Sequence, residues 1–179
     1  MSPTYGSRVG DRADRYKAGG CNTAAVRSVL LLVLAVVLPA AALASPGFQR
    51  GTATIAPGIG GPARVVLKVE LARTHAERAR GLMNRRSLAA KAGMAFLYPE
   101  AHQGGYWMKD TLIPLDIAFA DARGKILRIF TMQPCRRDPC RIYDPKVAYR
   151  SALEVNAGSF RRWRVRAGDR ITVRAAPAG

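Results

Sequence analysis

The segment from Trp107 to Phe119 holds the densest group of side chains that could do chemistry. Pro114 has no backbone N–H for a sheet, so it interrupts any strand that runs through this segment. We therefore predict a bend around the proline that presents Lys109, Asp110 and Thr111 at the end of a sheet. A cation, a carboxylate and a hydroxyl on one bend could bind a polar ligand.

Two carboxyl groups, those of Asp116 and Glu154, each lie between aliphatic residues of a predicted strand. A buried carboxylate is costly unless it is paired or hydrogen-bonded. One interpretation joins them in a ligand pocket, with Lys109 as the cation and Trp107 as a stacking wall. Alternatively, two carboxyls in one cleft could perform general acid–base catalysis or glycoside hydrolysis. The structural alternative is that they hold loops in place by accepting hydrogen bonds from backbone amides or from two arginines, Arg80 and Arg85.

Cys135 and Cys140 enclose the four residues Arg136-Arg137-Asp138-Pro139. In an exported protein such a pair would be oxidised, so we predict a structural disulfide. A redox-active pair normally has the spacing C-x-x-C, and no histidine lies nearby to complete a zinc site. Three methionines, at positions 83, 94 and 108, could ligate copper(I), but methionine more often fills a core and we predict that role. The sequence indicates neither a metal nor a cofactor: it has two histidines and no phosphate-binding or dinucleotide-binding glycine motif.

The chain of 179 residues has 29 Lys and Arg against 12 Asp and Glu, a net charge of +17. Part of this charge is concentrated near the C-terminus, in Arg161-Arg162-Trp163-Arg164-Val165-Arg166 with Arg170 and Arg174. Behind an export signal, the anions that such a face would meet are lipid headgroups and acidic polymers rather than nucleic acid.

An uncharged apolar run over residues 28–44 follows several basic residues and ends in Ala42-Leu43-Ala44, a small-residue cleavage pattern. We predict a signal peptide over 1–44, and hence a periplasmic or secreted protein. The alternative is an uncleaved inner-membrane anchor, since the run is at the lower limit of what spans a bilayer. Residues 45–62 are rich in Gly, Pro and small residues, which predicts a flexible linker before a single β-rich domain over 63–176.

Apolar–polar alternation and turn residues predict short strands and two small helices in that domain. One helix begins at the capping box Thr74-His75-Ala76-Glu77 and runs to about Met83, and the other is a turn after Gly158. The strands are expected over 64–71, 93–98, 106–108, 115–120, 125–132, 148–155 and 170–174. The fold class is therefore mainly β (α+β), a compact antiparallel sheet or barrel-like domain with one or two short helices.

Several of these segments together resemble a known family. They are Gly81-Leu82-Met83-Asn84-Arg85, Gly93-Met94-Ala95-Phe96, Trp107-Met108-Lys109-Asp110-Thr111-x-Ile113-Pro114-Leu115-Asp116, Leu153-Glu154-Val155-Asn156-Ala157-Gly158 and Ala167-Gly168-Asp169. In this order and spacing they are similar to domain-of-unknown-function family 192, also called uncharacterised protein family 0127. The resemblance covers about residues 64–174 and implies a compact, mainly β domain that is commonly exported, but no activity. Asp110 stands where the family usually has asparagine.

These observations favour an exported envelope domain that binds a small molecule or an envelope component, rather than an enzyme. Its expected ligand-binding residues are Trp107, Lys109, Asp110, Thr111, Asp116 and Glu154. One alternative is an envelope hydrolase that uses Asp116 and Glu154 as an acid/base pair, with Lys109 as a further catalytic candidate. The other is an accessory protein that binds anionic envelope polymers through its basic C-terminal face.

Overall fold

The computed structural model describes residues 47–58 and 64–177. The predicted signal peptide, residues 1–44, lies outside this range, as does the end of the predicted linker. No helix in the described ranges is long and apolar enough to cross a membrane.

Within the described residues, seven strands form one sheet in the order β5-β4-β6-β3-β2-β1-β7. The strands are β1 (Gln49–Ala56), β2 (Val65–Ala72), β3 (Ala92–His102), β4 (Leu115–Ala120), β5 (Ile126–Met132), β6 (Tyr149–Asn156) and β7 (Arg170–Ala175), and the two short helices are α1 (His75–Arg80) and α2 (Ser159–Arg162). Neighbouring strands are antiparallel except for β2 and β3, which are parallel. The predicted mainly β class is confirmed, with one parallel pair added to the expected antiparallel sheet.

The sheet curls into a half-barrel whose two edge strands meet at one end. Lys125 and Arg170 form an isolated antiparallel bridge there. The Ile126 amide donates to the Asp169 carbonyl over 2.8 Å, and the Ile171 amide donates to the Gly124 carbonyl over 2.8 Å. The four-residue turn that ends in Gly124 thus joins β4 to β5 and also closes the curl.

Helix α1 begins where the capping box predicts. Thr74 accepts a hydrogen bond from the backbone amide of Glu77, and the Glu77 carboxylate accepts one from the amide of Thr74. The hydrogen bonds that the Glu77 carboxylate accepts from the backbone amides of Thr74 and Arg73 hold its pKa below the ordinary value. The helix ends at Arg80, earlier than predicted, because Gly81 adopts a positive φ of 47° that directs the chain out of the helix.

Three local predictions are wrong. The predicted linker contains β1, because its Ala53 and Ile55 are buried between β2 and β7. Strand β3 continues past Pro99, because its pairing with β6 shifts between Leu97 and His102 and leaves the proline outside the ladder. Residues 106–108 form only an isolated bridge, from Tyr106 to Tyr143.

Each side of the sheet carries its own hydrophobic cluster. The side that we call the Val155 face packs against Phe160 of α2, and it includes Ala118 and Ile171. The opposite side, the Ile117 face, is covered by loop residues that include Leu82, Met108 and Tyr143. Met94 and Met108 are fully buried on this second face, as predicted for core-filling methionines.

Candidate functional site

A small cleft of about 40 Å³ lies on the Ile117 face. It forms where the end of α1, the loop before β4 and strand β6 come together. Its lining includes Gly81, Leu82, Met83, Phe96, Tyr106, Trp107, Thr111 and Glu154, together with α1 residues Arg78, Ala79 and Arg80. The cleft therefore brings together segments that lie up to more than seventy positions apart in the chain. Each of these segments carries part of the family resemblance.

Glu154 lines the cleft and has only 5% of its surface exposed. Within the described part of the chain no hydrogen bond or neighbouring charge shifts the pKa of its carboxyl group. Burial raises the pKa of Glu154 to about 8, because desolvation penalises the charged form. At neutral pH this group is therefore a carboxylic acid that can both donate and accept a hydrogen bond.

Trp107 and Thr111 form the other polar and aromatic parts of the cleft. The Trp107 side chain is 51% exposed, which is unusual for a large aromatic residue beside a cavity. Thr111 is buried, its amide donates to the Met108 carbonyl, and its hydroxyl donates to the Lys109 carbonyl over 3.3 Å. The threonine oxygen keeps lone pairs that can accept a further hydrogen bond.

The charged groups at the cleft's margin are directed elsewhere. The Arg78 guanidinium lies 4.7 Å from the centre of the Tyr98 ring and also donates to the Leu97 carbonyl. The Arg80 guanidinium lies 4.3 Å from the centre of the Phe48 ring. These cation–π contacts hold both groups against aromatic rings, so Arg80 does not provide the expected hydrogen bond to a strand carboxyl.

The tyrosine behind the cleft is also neutral. The hydroxyls of Tyr98 and Tyr106 are hydrogen-bonded to each other over 2.8 Å. Burial raises the pKa of Tyr106 well above its ordinary value, so the hydroxyl keeps its proton at neutral pH. Sequence reasoning missed both Tyr106 and Gly81 as lining residues, although Gly81 begins one of the segments that it singled out and Tyr106 stands next to another.

Asp110 contributes through its backbone. Its φ of 54° lies in the left-handed region, which asparagine and aspartate adopt more readily than other side-chain-bearing residues. In this conformation its carbonyl accepts a hydrogen bond from the Asn84 amide over 2.7 Å, which ties the bend to the segment after α1. The departure from the family's usual asparagine therefore keeps the conformational property that the position requires.

Lys109 points away from the cleft, into a separate pocket of about 150 Å³ beside the Cys135–Cys140 loop. Its Nζ forms an ion pair of 2.6 Å with Asp138, and this hydrogen bond raises the pKa of Lys109 above its ordinary value. The two cysteines form the predicted disulfide, with 5.5 Å between their Cα atoms. Together with Asp138 they are a potential metal-ligating group in the described residues, but their sulfurs are joined to each other.

Asp116 lies on the Val155 face, opposite the cleft. Thr131 donates its hydroxyl to Oδ1 over 2.7 Å, and the Phe160 amide donates to Oδ2 over 3.2 Å. This buried carboxyl fastens α2 and β5 to β4, so the structural alternative describes it well. The other arginine considered as a partner, Arg85, instead pairs with Glu70.

The structure does not bring the two carboxyls together. Asp116 is paired across the strands with Val155, whereas Glu154 is paired with Ile117. Directly paired residues share a face and neighbours along a strand alternate, so Asp116 and Glu154 point to opposite sides. The predicted acid/base pair is therefore wrong, and a hydrolase that uses both groups on one bond is incompatible with this fold.

A larger groove of about 810 Å³ lies on the Asp116 side, between β5 and α2. Four arginines line it: Arg128, Arg161, Arg162 and Arg166. The basic C-terminal run does not act as one face, since Arg170 donates to the Arg123 carbonyl and Arg174 lies on β7. Arg128, on β5, was not part of the predicted basic face, because only the fold brings it beside α2.

The fold is similar to those of known crystal structures. A crystal structure of a "putative transcription regulator" from Sinorhizobium meliloti has 32% sequence identity and a TM-score of 0.65, and the match covers 72% of this chain and 96% of that chain. A protein of unknown function from Novosphingobium aromaticivorans also has 32% identity, with a TM-score of 0.63 and coverage of 72% and 89%. No curated protein matches the chain significantly.

The family profile DUF192, described as an uncharacterised ACR, matches residues 59–173. This range includes the residues that line both the cleft and the arginine groove. The chain therefore belongs to domain-of-unknown-function family 192.

Proposed function

We propose that this protein is an exported cell-envelope domain that binds a neutral, hydroxylated ligand, such as a sugar unit of a glycan, at the cleft between Trp107 and Glu154. The observation that supports this most is the convergence of four distant family segments on one cleft. That cleft combines an exposed tryptophan with a buried, neutral carboxyl group.

The chemistry of the cleft suits such a ligand. A sugar ring has an apolar face that can lie on the Trp107 indole, and hydroxyl groups that hydrogen-bond. Glu154 as a neutral acid and Thr111 as an acceptor offer polar groups without net charge. A volume of about 40 Å³ admits one small substituent, such as a hydroxyl or hydroxymethyl group, while the ring stays outside on the tryptophan.

Export is supported by two features of the chain. Its first 44 positions contain basic residues, then an apolar run, then a small-residue cleavage pattern. The disulfide between Cys135 and Cys140 is a feature of proteins that reside in oxidising compartments. The ligand would accordingly be a component of the envelope or of the medium outside it.

Tryptophan fluorescence provides a direct test, because Trp107 and Trp163 are the two tryptophans of the chain. In the variant Trp163→Phe, the indole of Trp107 is the sole reporter. Titration with soluble oligosaccharides, for example cellotetraose and chitotetraose, should shift and enhance its emission with saturation. Calorimetry on the same samples should give the same dissociation constant.

Two variants separate the cleft from general surface effects. Glu154→Gln keeps a neutral hydrogen-bonding group and should retain binding, whereas Glu154→Leu should weaken it about tenfold or more, because a buried polar contact is lost. Leu112→Ala is the matched control, since Leu112 is 53% exposed nearby but does not line the cleft. If Leu112→Ala weakens binding as much as Glu154→Leu, or if none of these sugars shifts the Trp107 emission, the proposal is wrong.

A further inference from the structure

We infer that the arginine groove between β5 and α2 binds a small organic molecule that carries several phosphate groups. This site lies on the opposite side of the sheet from the cleft and does not depend on the proposed function. The groove holds about 810 Å³, within the size range of small-molecule sites in proteins.

The charge of the groove favours an anion. In the described part of the chain, none of its four arginines forms a salt bridge with a carboxylate. Among residues 47–58 and 64–177, the side-chain hydrogen bonds from this set are made by Arg162, to the Ser159 hydroxyl, and by Arg128, to the neighbouring Leu127 carbonyl. Guanidinium groups present planar pairs of donors that match phosphate oxygens, so a polyphosphate would satisfy several of them at once.

Asp116 is the acidic residue among those that line the groove, but both of its carboxyl oxygens already accept hydrogen bonds. The Asp116 side chain accepts from both Thr131 and the Phe160 amide, and only 2% of the residue is exposed. By fastening Phe160 to the sheet, it fixes the start of the short helix that carries Arg161 and Arg162. Asp116 is thus a positioning residue for the groove rather than an obstacle to an anion.

The shape of the groove favours a small molecule over a macromolecular surface. Ile129, Phe160 and Val165 supply apolar lining between the arginines, which suits an organic part such as a ring. Helix α2 has four residues and lies beside the groove, so it is too short to enter the major groove of DNA as a recognition helix does.

Calorimetry with inorganic tripolyphosphate and with adenosine triphosphate at low ionic strength tests the inference on the full chain. Both should bind one molecule per chain, and affinity should fall as salt is added, because ions screen exposed charges. Adenosine triphosphate should bind several-fold tighter if its ring contacts the apolar lining. In the variant Trp107→Phe, the emission of Trp163, which packs against Phe160, should report the same dissociation constants.

A pair of double variants with equal loss of charge gives the control. Arg161→Gln with Arg166→Gln removes two groove cations and should weaken tripolyphosphate binding about tenfold or more. Arg136→Gln with Arg137→Gln removes two exposed cations from the disulfide loop, away from the groove, and should change binding less than about twofold. Circular dichroism of each variant checks that the fold is kept.

Three results would overturn the inference. One is equal weakening by both double variants, which would mean attraction to net charge rather than to a site. The second is binding of a 20-base-pair duplex or of phosphatidylglycerol vesicles that needs Arg161 and Arg166 while tripolyphosphate does not compete. The third is the absence of any heat or Trp163 signal with both soluble phosphates at low salt.

Discussion

Asp116 and Glu154 lie on adjacent strands, one register position apart, and face opposite sides of the same sheet. The free-energy cost of burying a carboxyl group is reduced in a different way at each position. Asp116 accepts two hydrogen bonds and links three elements, whereas Glu154 keeps its proton beside a cleft. The difference determines how each should respond to substitution and to pH.

Glu154 should make the protein less stable as pH rises. Its pKa in the folded protein is about 8, against an ordinary value of 4.5. Between these values the unfolded chain has lost the proton and the folded chain retains it, so the free energy of unfolding falls as pH rises through the window and levels off above 8. The slope from one such group approaches about 1.4 kcal/mol per pH unit.

Urea denaturation of the wild type and of Glu154→Gln at pH 5, 6.5 and 8 measures this effect. The variant should lose the part of the slope that Glu154 causes, and at pH 8 it should be the more stable of the two. Glu100→Gln is the control at an exposed carboxyl and should follow the wild type. Parallel curves for wild type and Glu154→Gln would contradict the assignment of a raised pKa.

Asp116→Ala should destabilise the protein by about 2–3 kcal/mol, because it leaves the Phe160 amide and the Thr131 hydroxyl without their acceptor. Asp116→Asn keeps one acceptor oxygen and should cost less. The double variant Asp116→Ala with Thr131→Val removes the stranded hydroxyl and should recover part of the loss. Denaturant midpoints of the wild type, Asp116→Ala, Thr131→Val and the double variant form a double-mutant cycle, and strict additivity would show that the two side chains are not coupled.

The sequence was informative where a signal is local. The capping box at Thr74 and the alternation in β4, β5 and β6 each predict an element that the structure contains. Strand β1 was not predicted, because its run of small residues resembles a linker. It becomes a strand through its pairing with β2 and β7. Its burial is a property of the assembled sheet rather than of its own residues.

The candidate site was predictable in part. Trp107, Thr111 and Glu154 line the same cleft, but Lys109 is paired with Asp138 in the disulfide loop, and Asp116 is on the other face. Strand order and register decide which face meets which neighbour, and both come from long-range pairing. The flanking aliphatic residues indicate that Asp116 and Glu154 are buried. They do not indicate the strand register, which places the two carboxyls on opposite faces of the sheet.

Gly124→Ala should destabilise the closure of the sheet. The residue has a positive φ of 76°, and a Cβ there would lie 2.1 Å from the Ile171 carbonyl oxygen. The backbone strain and the clash together should cost more than about 1 kcal/mol. Gly168→Ala is the matched control, since Gly168 also has a positive φ, of 95°, but open space around it. Thermal unfolding of both variants checks the difference, and equal losses would mean that the close approach to β7 contributes nothing.

Mass spectrometry of the protein expressed with its own leader in a Gram-negative host tests export and oxidation together. If the leader is cleaved after Ala44, the periplasmic fraction should contain a chain that begins at Ser45. Its mass should be two hydrogens below the reduced value, because Cys135 and Cys140 are joined. An intact chain that retains residues 1–44 in the membrane fraction would instead support the anchor.

The double variant Cys135→Ser with Cys140→Ser should lower the free energy of unfolding by about 2 kcal/mol, the size expected for so small a ring. It should leave sugar binding at the Trp107 cleft within about twofold, because no residue of the disulfide loop is among those that line the cleft. The bend carries both Trp107, which lines the cleft, and Lys109, which pairs with the disulfide loop. The outcome shows whether sugar binding at Trp107 depends on that loop. A loss of sugar binding in this variant, with the fold intact, would show that the loop positions Trp107 and that the cleft extends to it.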